Sequence, residues 1–507
     1  MIHFRIITFF LLFNIIYSIY DIKDSLIADN YQTDKRAILI PDYNIENSIF
    51  KIEFLNKRKK FFIDFNLGYL DQSNGTRLNI SPILKYKRFN FKMNLDYIFG
   101  KDSTFYNNNW SDAFSIIERI EYLNVSLLNN QINLSLGEIN DLSFGHGYLL
   151  NNYSNNNNYP VNRNLGLLFN YRNSNNSITY KLFISSIRHT IDSGGLIGNH
   201  ISFLYSNSFP LRFGFSHIID LDQFINYKDE ISDITRTLNA YGLDFSFPLF
   251  NNSNQKLLFI GELSAIDIPE KRYYKRIDDN QFSNDKKSRE GIWGIAFPGI
   301  KYVNDMFEII LAINYNSSIY SPYYFNSTYD FEKVRYRRYN IPENEYFYSD
   351  EAELLEYFST SDSTIFLPKD MYSMINDYEN IYPTYGFSGS LKFKVDMNNY
   401  FNFSYSYFQD IDNQNDSFFN SISLAYVLNR KIIFFPTSLK VFASKDFFKI
   451  AEQFSFDENM IYGLDVSSNL YKSFFLSGKL KHTFYDIDLD GSVDLVPYVN
   501  IGIIYKY

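Results

Sequence analysis

Beyond its first eighteen residues the 507-residue chain carries five histidines: His146, His189, His200, His217 and His482. An imidazole can move protons near neutral pH when an acid or a hydroxyl stands within about 2.6–3.2 Å of it. One histidine, His217, has acids close by in sequence, at Asp220 and Asp222. Nothing in the spacing of the others brings a Ser–His–acid set together, so any such set must be built by the fold. The expectation is therefore a chain that is not an enzyme. Cysteine is absent, which removes disulfides, thiolate zinc sites, a cysteine nucleophile and a lipid-anchoring cysteine.

A second candidate chemistry is cation binding. In "DIDLDGSVD" the residues Asp486, Asp488, Asp490, Gly491 and Asp494 match positions 1, 3, 5, 6 and 9 of a calcium loop. Pro497 stands where the bidentate Glu of position 12 is expected, so the site reads as a weak calcium loop. An acidic hairpin turn built on Asp-Gly accounts for the same residues. Calcium is the one candidate cofactor.

The elements that must position these residues are strands. "FNFKMNLDYIF" sets Phe89, Phe91, Met93, Leu95, Tyr97 and Phe99 against Asn90, Lys92, Asn94 and Asp96. "YFNFSYSYF" and "SLKFKVD" repeat the alternation at 400–408 and 390–396. Apolar and polar residues are interleaved throughout: aromatics are 19% and hydrophobics 45% of the chain, yet mean hydropathy is only -0.25. Runs of nine to twelve alternating residues, crowded with Phe, Tyr and Ile on one face, exceed the usual soluble strand of about 5–6 residues. They match the tilted strand of about 9–11 residues that crosses a membrane in a barrel.

The spacing of the strands sharpens this. From 61–70 to 495–507 the alternation places about 20 strands (18–22 with boundary shifts), including 114–128 and 131–142. Short turns such as Lys87-Arg88, Asn129-Asn130 and Asn398-Asn399 alternate with long connections at 100–113, 143–162, 221–237, 267–291, 317–384 and 446–459. The expected fold is an all-β, transmembrane, antiparallel up-and-down β-barrel with short periplasmic turns and long extracellular loops. Backbone groups in hydrocarbon need partners, so the first and last strands should pair with each other. The strand phase puts Asp64, Lys92, Asp96, Lys392, Lys394, Lys479 and Lys481 on the lumen face, a mixture of signs with no firm ion selectivity. His200 falls on the lumen face as well, and His482 on the lipid-side rim.

The ends of the chain fit the same picture. Residues 1–18 hold Arg5 and a short apolar run and read as a signal peptide. Residues 19–60 form a periplasmic arm or an extra hairpin, and 61–507 the barrel. In "NIGIIYKY" the residues Val499, Ile501, Ile503, Tyr505 and Tyr507 alternate toward lipid. The pattern resembles the terminal aromatic signal that bacterial barrel-assembly machinery reads.

The run Gly137–Leu167, with "FGHGYLLNNYSN" then Tyr159-Pro160 and "LGL", is followed by "GGLIGNHISF" and "FPLRFGFSHIIDLDQF". Over residues 137–224 it resembles an uncharacterised family of predicted Gram-negative outer-membrane barrels. The resemblance implies location and fold and no substrate. Within the Gly137–Leu167 loop itself, turn chemistry at Gly145 and Gly147 outweighs a ligand site.

The location expected is the outer membrane. The partners expected are outer-membrane lipid, the assembly machinery and a small-molecule solute. With net charge -9 and no basic run of note, nucleic acid is not among them. The leading function is a channel or transporter for small solutes, with the 317–384 loop as constriction or cap. That loop carries "VRYRRYN" and a helix-prone "SDEAELLEYF". A structural or adhesive barrel presenting its loops to a partner or polysaccharide is the alternative. A rim protease or lipase has least support. Too few residues precede the first strand for the plug domain of a large transporter.

Overall fold

The computed structural model describes residues 61–505 with breaks at 71–74, 87, 100–112, 157–163, 207–208, 228–234, 253, 268–276, 279–280, 283–291, 318–319, 339–358, 362–363, 370–382, 395–398, 412–417, 433–434, 449–459, 472–473 and 486–493. The expected signal peptide and the 19–60 arm lie outside the described residues, as do Asp486, Asp488, Asp490 and Tyr507.

In chain order the strands begin with β1 (Phe61–Leu70), β2 (Gly75–Tyr86), β3 (Phe89–Met93), β4 (Leu95–Phe99), β5 (Ile120–Leu127), β6 (Ile132–Gly137) and β7 (Gly166–Arg172). They continue with β8 (Ile178–Ile184), β9 (Leu196–Leu204), β10 (Arg212–Asp220), β11 (Leu238–Asn251), β12 (Gln255–Asp267), β13 (Ile277–Asp278) and β14 (Gln281–Phe282). Then come β15 (Trp293–Asn304), β16 (Phe307–Asn316), β17 (Val334–Arg338), β18 (Ser359–Ser361), β19 (Thr364–Pro368), β20 (Thr384–Lys394) and β21 (Tyr400–Asp410). The last are β22 (Phe418–Ile432), β23 (Phe435–Phe448), β24 (Met460–Tyr471), β25 (Phe474–Tyr485) and β26 (Asp494–Tyr505). Among the described residues three short α-helices, α1 (Ala113–Ile117), α2 (Ile187–Ile191) and α3 (Tyr329–Glu332), lie in the connections.

The main sheet holds 21 strands. β3 and β4 run end to end beside β2 as one stave, which makes twenty staves. Each pairs antiparallel with its neighbours in sequence, and β1 pairs with β26 from Ile63↔Tyr505 to Leu70↔Tyr498. Turns such as 305–306 and 128–131 gather at one end, and 138–165, 221–237 and 317–383 at the other. The sheet forms because alternation gives every strand one face for each solvent. Outside stand Ile501 (58% exposed) and Ile503 (51%). Inside stand Ser216 (2%), Ser264 (1%) and Asn314 (1%). Small polar groups buried and large apolar groups bare is the reverse of a soluble protein, and it is the pattern of an outer-membrane barrel.

Two expected strands end differently. The 114–128 strand starts only at Ile120, because Phe114, Ile116 and Ile117 put apolar groups on both faces, and 113–117 winds into α1. Beyond it, β4 pairs with β2 alone among the described strands. The 131–142 strand stops at Gly137, whose backbone turns to φ +121. From there the chain leaves the wall and enters the lumen.

Candidate functional site

The inward loop after β6 is built around aromatic side chains. Phe144, Tyr148, Leu149, Leu150 and Tyr153 share a buried core with Phe183 of β8, Leu196 of β9, Ile218 of β10, Ala240 of β11 and Ile266 of β12. Tyr320, Tyr324, Phe325 and Tyr329 from the long 317–383 connection belong to the same core. Burying each such aromatic contributes on the order of 1.5–3 kcal/mol. The two loops are joined by backbone. Phe325 N donates to Leu149 O at 3.2 Å, Asn151 N to Phe325 O at 3.0 Å and Tyr323 N to Tyr148 O at 2.8 Å. The base of the first loop is pinned by buried Asn155. Its Oδ1 accepts from Ile139 N at 2.8 Å, and its Nδ2 donates to Ser185 O at 2.7 Å.

The loop tip rests on carboxylates of the wall. Glu262 on β12 is buried; its Oε2 accepts from His146 N at 2.7 Å and its Oε1 from Leu149 N at 3.2 Å. Gly145 makes the approach possible. Its φ is +55, and a Cβ there would stand 2.9 Å from Glu262 Oε2. Beside it, Asp244 of β11 receives His200 Nε2 of β9 at 2.9 Å. Asp244 reaches across β10 over Gly214, where a side chain would occupy the place of its carboxylate. Phe144 stacks on the His200 ring at 5.6 Å. The His146 ring donates from Nε2 to Phe245 O at 2.9 Å, and burial pushes its pKa down.

A second set of contacts ties the loops together. Tyr153 Oη donates to Asp330 Oδ2 at 3.1 Å, Tyr329 Oη to Asp220 Oδ2 at 2.7 Å, and Tyr148 Oη to Asn316. Burial raises the Asp330 carboxyl to about 6, against the lowering effect of Lys333 and the Tyr153 hydroxyl. The packed loops therefore bind this proton more tightly than free loops do. That stabilisation is complete below the ordinary value of 3.8 and is lost as pH rises through about 6. Limited proteolysis within 320–338 is expected to be slower at pH 5 than at pH 8, and equal rates would remove Asp330 as the cause.

The five histidines are scattered. His200 faces the lumen in its pair with Asp244, and its Nδ1 meets no hydrogen-bond partner, so no hydroxyl completes a nucleophilic set there. His217 stacks on Tyr241 at 5.0 Å on the outer face, where Phe213 and Phe215 are exposed, while Asp220 is on the inner face. The His217–Asp220–Asp222 cluster expected from spacing is thus split by the wall. Asp222 accepts from Phe224 N and Arg236 N, both at 3.1 Å, and shapes the 221–237 loop. His189 lies in α2, where burial pushes its pKa down to about 4, and Lys333 and Arg188 push the same way. His482 packs on Tyr462 at 4.7 Å.

Among the expected lumen residues, Lys92 pairs with Glu121 at 2.6 Å and Asp96 pairs with Arg119. Lys392 lies over the Tyr400 ring at 4.9 Å. Lys394 and Lys479 are half-buried and Lys481 is buried. Asp64 stands opposite Ser81 and Ile504 in the strand register, and Asp494 opens β26. Among the described residues no group of three or more His, Asp or Glu could hold a metal ion.

Of the residues that hold the loops, Glu262, Asp244, Asn155 and Asp330 were not singled out by sequence reasoning, and Asp220 was singled out only as a neighbour of His217. One signal was present. Glu262 is in phase with Ser264, and Asp244 with Gly242, so each puts an acid among small inner-face residues.

No family model and no curated protein matches the sequence. Among solved structures the chain is similar to Wzi of Escherichia coli, an outer-membrane protein involved in group 1 capsule assembly and described as a carbohydrate-binding β-barrel. Identity is 13%, 92% of this chain and 90% of that one are covered, and the TM-score is 0.33. It is also similar to the FrpB iron transporter of Neisseria meningitidis (8% identity, 89% and 82% covered, TM-score 0.33). A third is the siderophore receptor PirA of Pseudomonas aeruginosa (8%, 89% and 81%, TM-score 0.37). At this level of likeness none of them assigns a substrate.

Proposed function

We propose that the chain is an outer-membrane conduit for small solutes, narrowed by two loops folded into its lumen. One observation carries the reading: the tips of the 138–165 and 317–383 connections share a buried aromatic core with the inner face of the wall. Loops kept for display outside the cell have no need of lumen contacts such as those with Glu262 and Asp244. The similarity of residues 137–224 to an uncharacterised group of predicted outer-membrane barrels falls on this loop and the wall beneath it. The expected constriction at 317–384 becomes a constriction shared by two loops. The purified full chain should show single-channel conductance in planar bilayers, and replacing residues 320–333 by a short Gly-Ser linker should raise it. A lumen that conducts in neither form overturns the proposal.

A binding reading is favoured by one feature. Phe114, Ile116 and Ile117 of α1 and Ile191 of α2 are exposed on connections at the loop end. A barrel serving as a surface receptor or adhesin would use such a patch, would not conduct, and would lose its partner when these loops are trimmed.

A further inference from the structure

The wall is not equally tall all round. β5, β6, β7 and β8, neighbours in the sheet, hold 8, 6, 7 and 7 residues. The remaining staves run from 9 residues on β9 and β10 to 15 on β22. A barrel strand needs about 9–11 residues to cross the hydrocarbon. The turns of the short arc, rich in Asn at 129–130 and 173–176, belong on the water side, so the missing length falls at the loop end. Bare strand ends in hydrocarbon would leave N–H and C=O groups without partners, whereas a helix pairs its own.

Two helices stand at that place. α1 runs directly into β5, with Glu118 N donating to Phe114 O at 2.8 Å and Arg119 N to Ile116 O at 3.2 Å. α2 follows β8, with Thr190 N donating to Ser186 O and Asp192 N to Arg188 O, both at 3.1 Å. Both are fixed to the wall. Asn94 N donates to Arg119 O at 2.7 Å and Arg119 pairs with Asp96, which ties the end of α1 to the β3–β4 stave. Ile187 N donates to Leu165 O at 2.9 Å, at the root of β7. The helices are also fixed to each other. Arg188 donates to both Glu118 oxygens at 2.7 and 2.9 Å, and its guanidinium lies 5.8 Å from the centre of the Phe114 ring. The pair joins the loop end of β5 to that of β8, with β6 and β7 between them in the sheet. So clamped, the helices leave Phe114, Ile116, Ile117 and Ile191 38–62% exposed, while Ser115 is buried. The patch adjoins the outer face of β4, where Tyr97 is exposed as well.

We infer that α1 and α2 form a helical lintel that completes the short arc, with Phe114, Ile116, Ile117 and Ile191 seated among the acyl chains of the outer leaflet. The partner of this patch is bilayer lipid, and the patch continues the lipid-facing band of the strands. The inference goes beyond the conduit reading and needs only the outer-membrane barrel. The stretch 114–128, expected as one long strand, meets the membrane as a helix followed by a strand. A helix of this kind buries its apolar face about 5–10 Å into the boundary between headgroups and chains.

The test places a lone tryptophan on the patch. The chain has two, Trp110 and Trp293. In the full chain, W110F/W293F removes them and I117W supplies the reporter. The purified barrel is reconstituted in phosphatidylcholine vesicles whose acyl chains carry bromine. Emission should fall about twofold or more relative to unbrominated vesicles, with little quenching by iodide in the water. If I117W does not give the heat-modifiable band of a folded barrel, I116W provides the same reading. Quenching by iodide without any effect of bromine puts the patch in water, as a protein-docking surface requires, and overturns the inference. Quenching by neither shows that protein covers the patch and overturns it too.

Discussion

Replacing Glu262 with Ala is expected to release the loop tip and raise single-channel conductance several-fold. Glu262 is 3% exposed, and it accepts two backbone N–H groups from residues 146 and 149. Removing the acceptor leaves two buried N–H groups without partners, each at a cost of about 1–3 kcal/mol. Docking of the tip should therefore weaken by roughly 2–6 kcal/mol. Asn155 pins the base of the loop and the wall strands pair without the tip, so the barrel itself should assemble and run as a heat-modifiable band. Glu262→Gln keeps one acceptor oxygen and is expected to fall between native and Ala. Protease cleavage near Gly145 should rise in parallel with conductance. If Glu262→Ala changes neither conductance nor cleavage, the carboxylate is not the latch.

Exchanging Ile501 and Ile503 for Lys is expected to abolish assembled barrel in the membrane. Both side chains are more than half exposed on β26, on the face that meets lipid. A lysine on the lipid face near the bilayer midplane costs about 2–4 kcal/mol, so the pair costs roughly 4–8 kcal/mol. The strand affected pairs with both β25 and β1, and losing it leaves one edge of each unpaired. Gly502 between them and Asn500 before them hold the opposite phase in the strand register, so Asn500→Ser should be tolerated. Changing Tyr505 to Ser should give a milder loss, through the aromatic girdle. Normal amounts of folded double-lysine barrel would show that this face does not meet lipid.

The wall was legible in the sequence because period two is a one-dimensional signal. Reading "FNFKMNLDYIF" or "NIGIIYKY" needs no knowledge of neighbours, and twenty staves follow from adding such runs. α1 was missed because a few apolar residues on both faces can be a helix or a buried strand equally well. The splitting of His217 from Asp220 was within reach: three residues apart on a strand means opposite faces. The latch was not. His200, Gly214, Asp244 and Glu262 sit on four successive strands, and their meeting depends on strand register and on a left-handed turn at Gly145. The core between residues 144–153 and 320–329 depends on two loops folding the same way, and each reads in sequence as ordinary Asn- or Tyr-rich turn.

The seam between β1 and β26 has a kinetic consequence. Ile63 and Tyr505 are partners, yet almost the whole described chain separates them. Bringing such distant segments together loses loop entropy before any contact repays it, unless the intervening hairpins have already formed and shortened the path. The neighbouring hairpins, each joined by a short turn, should therefore zip first and the seam last. Until then the nascent sheet has two open edges, each able to capture a strand from another chain. The time between the first hairpin and the last register is when this protein is most exposed to misassembly, and catalysed closure would act most strongly on that step.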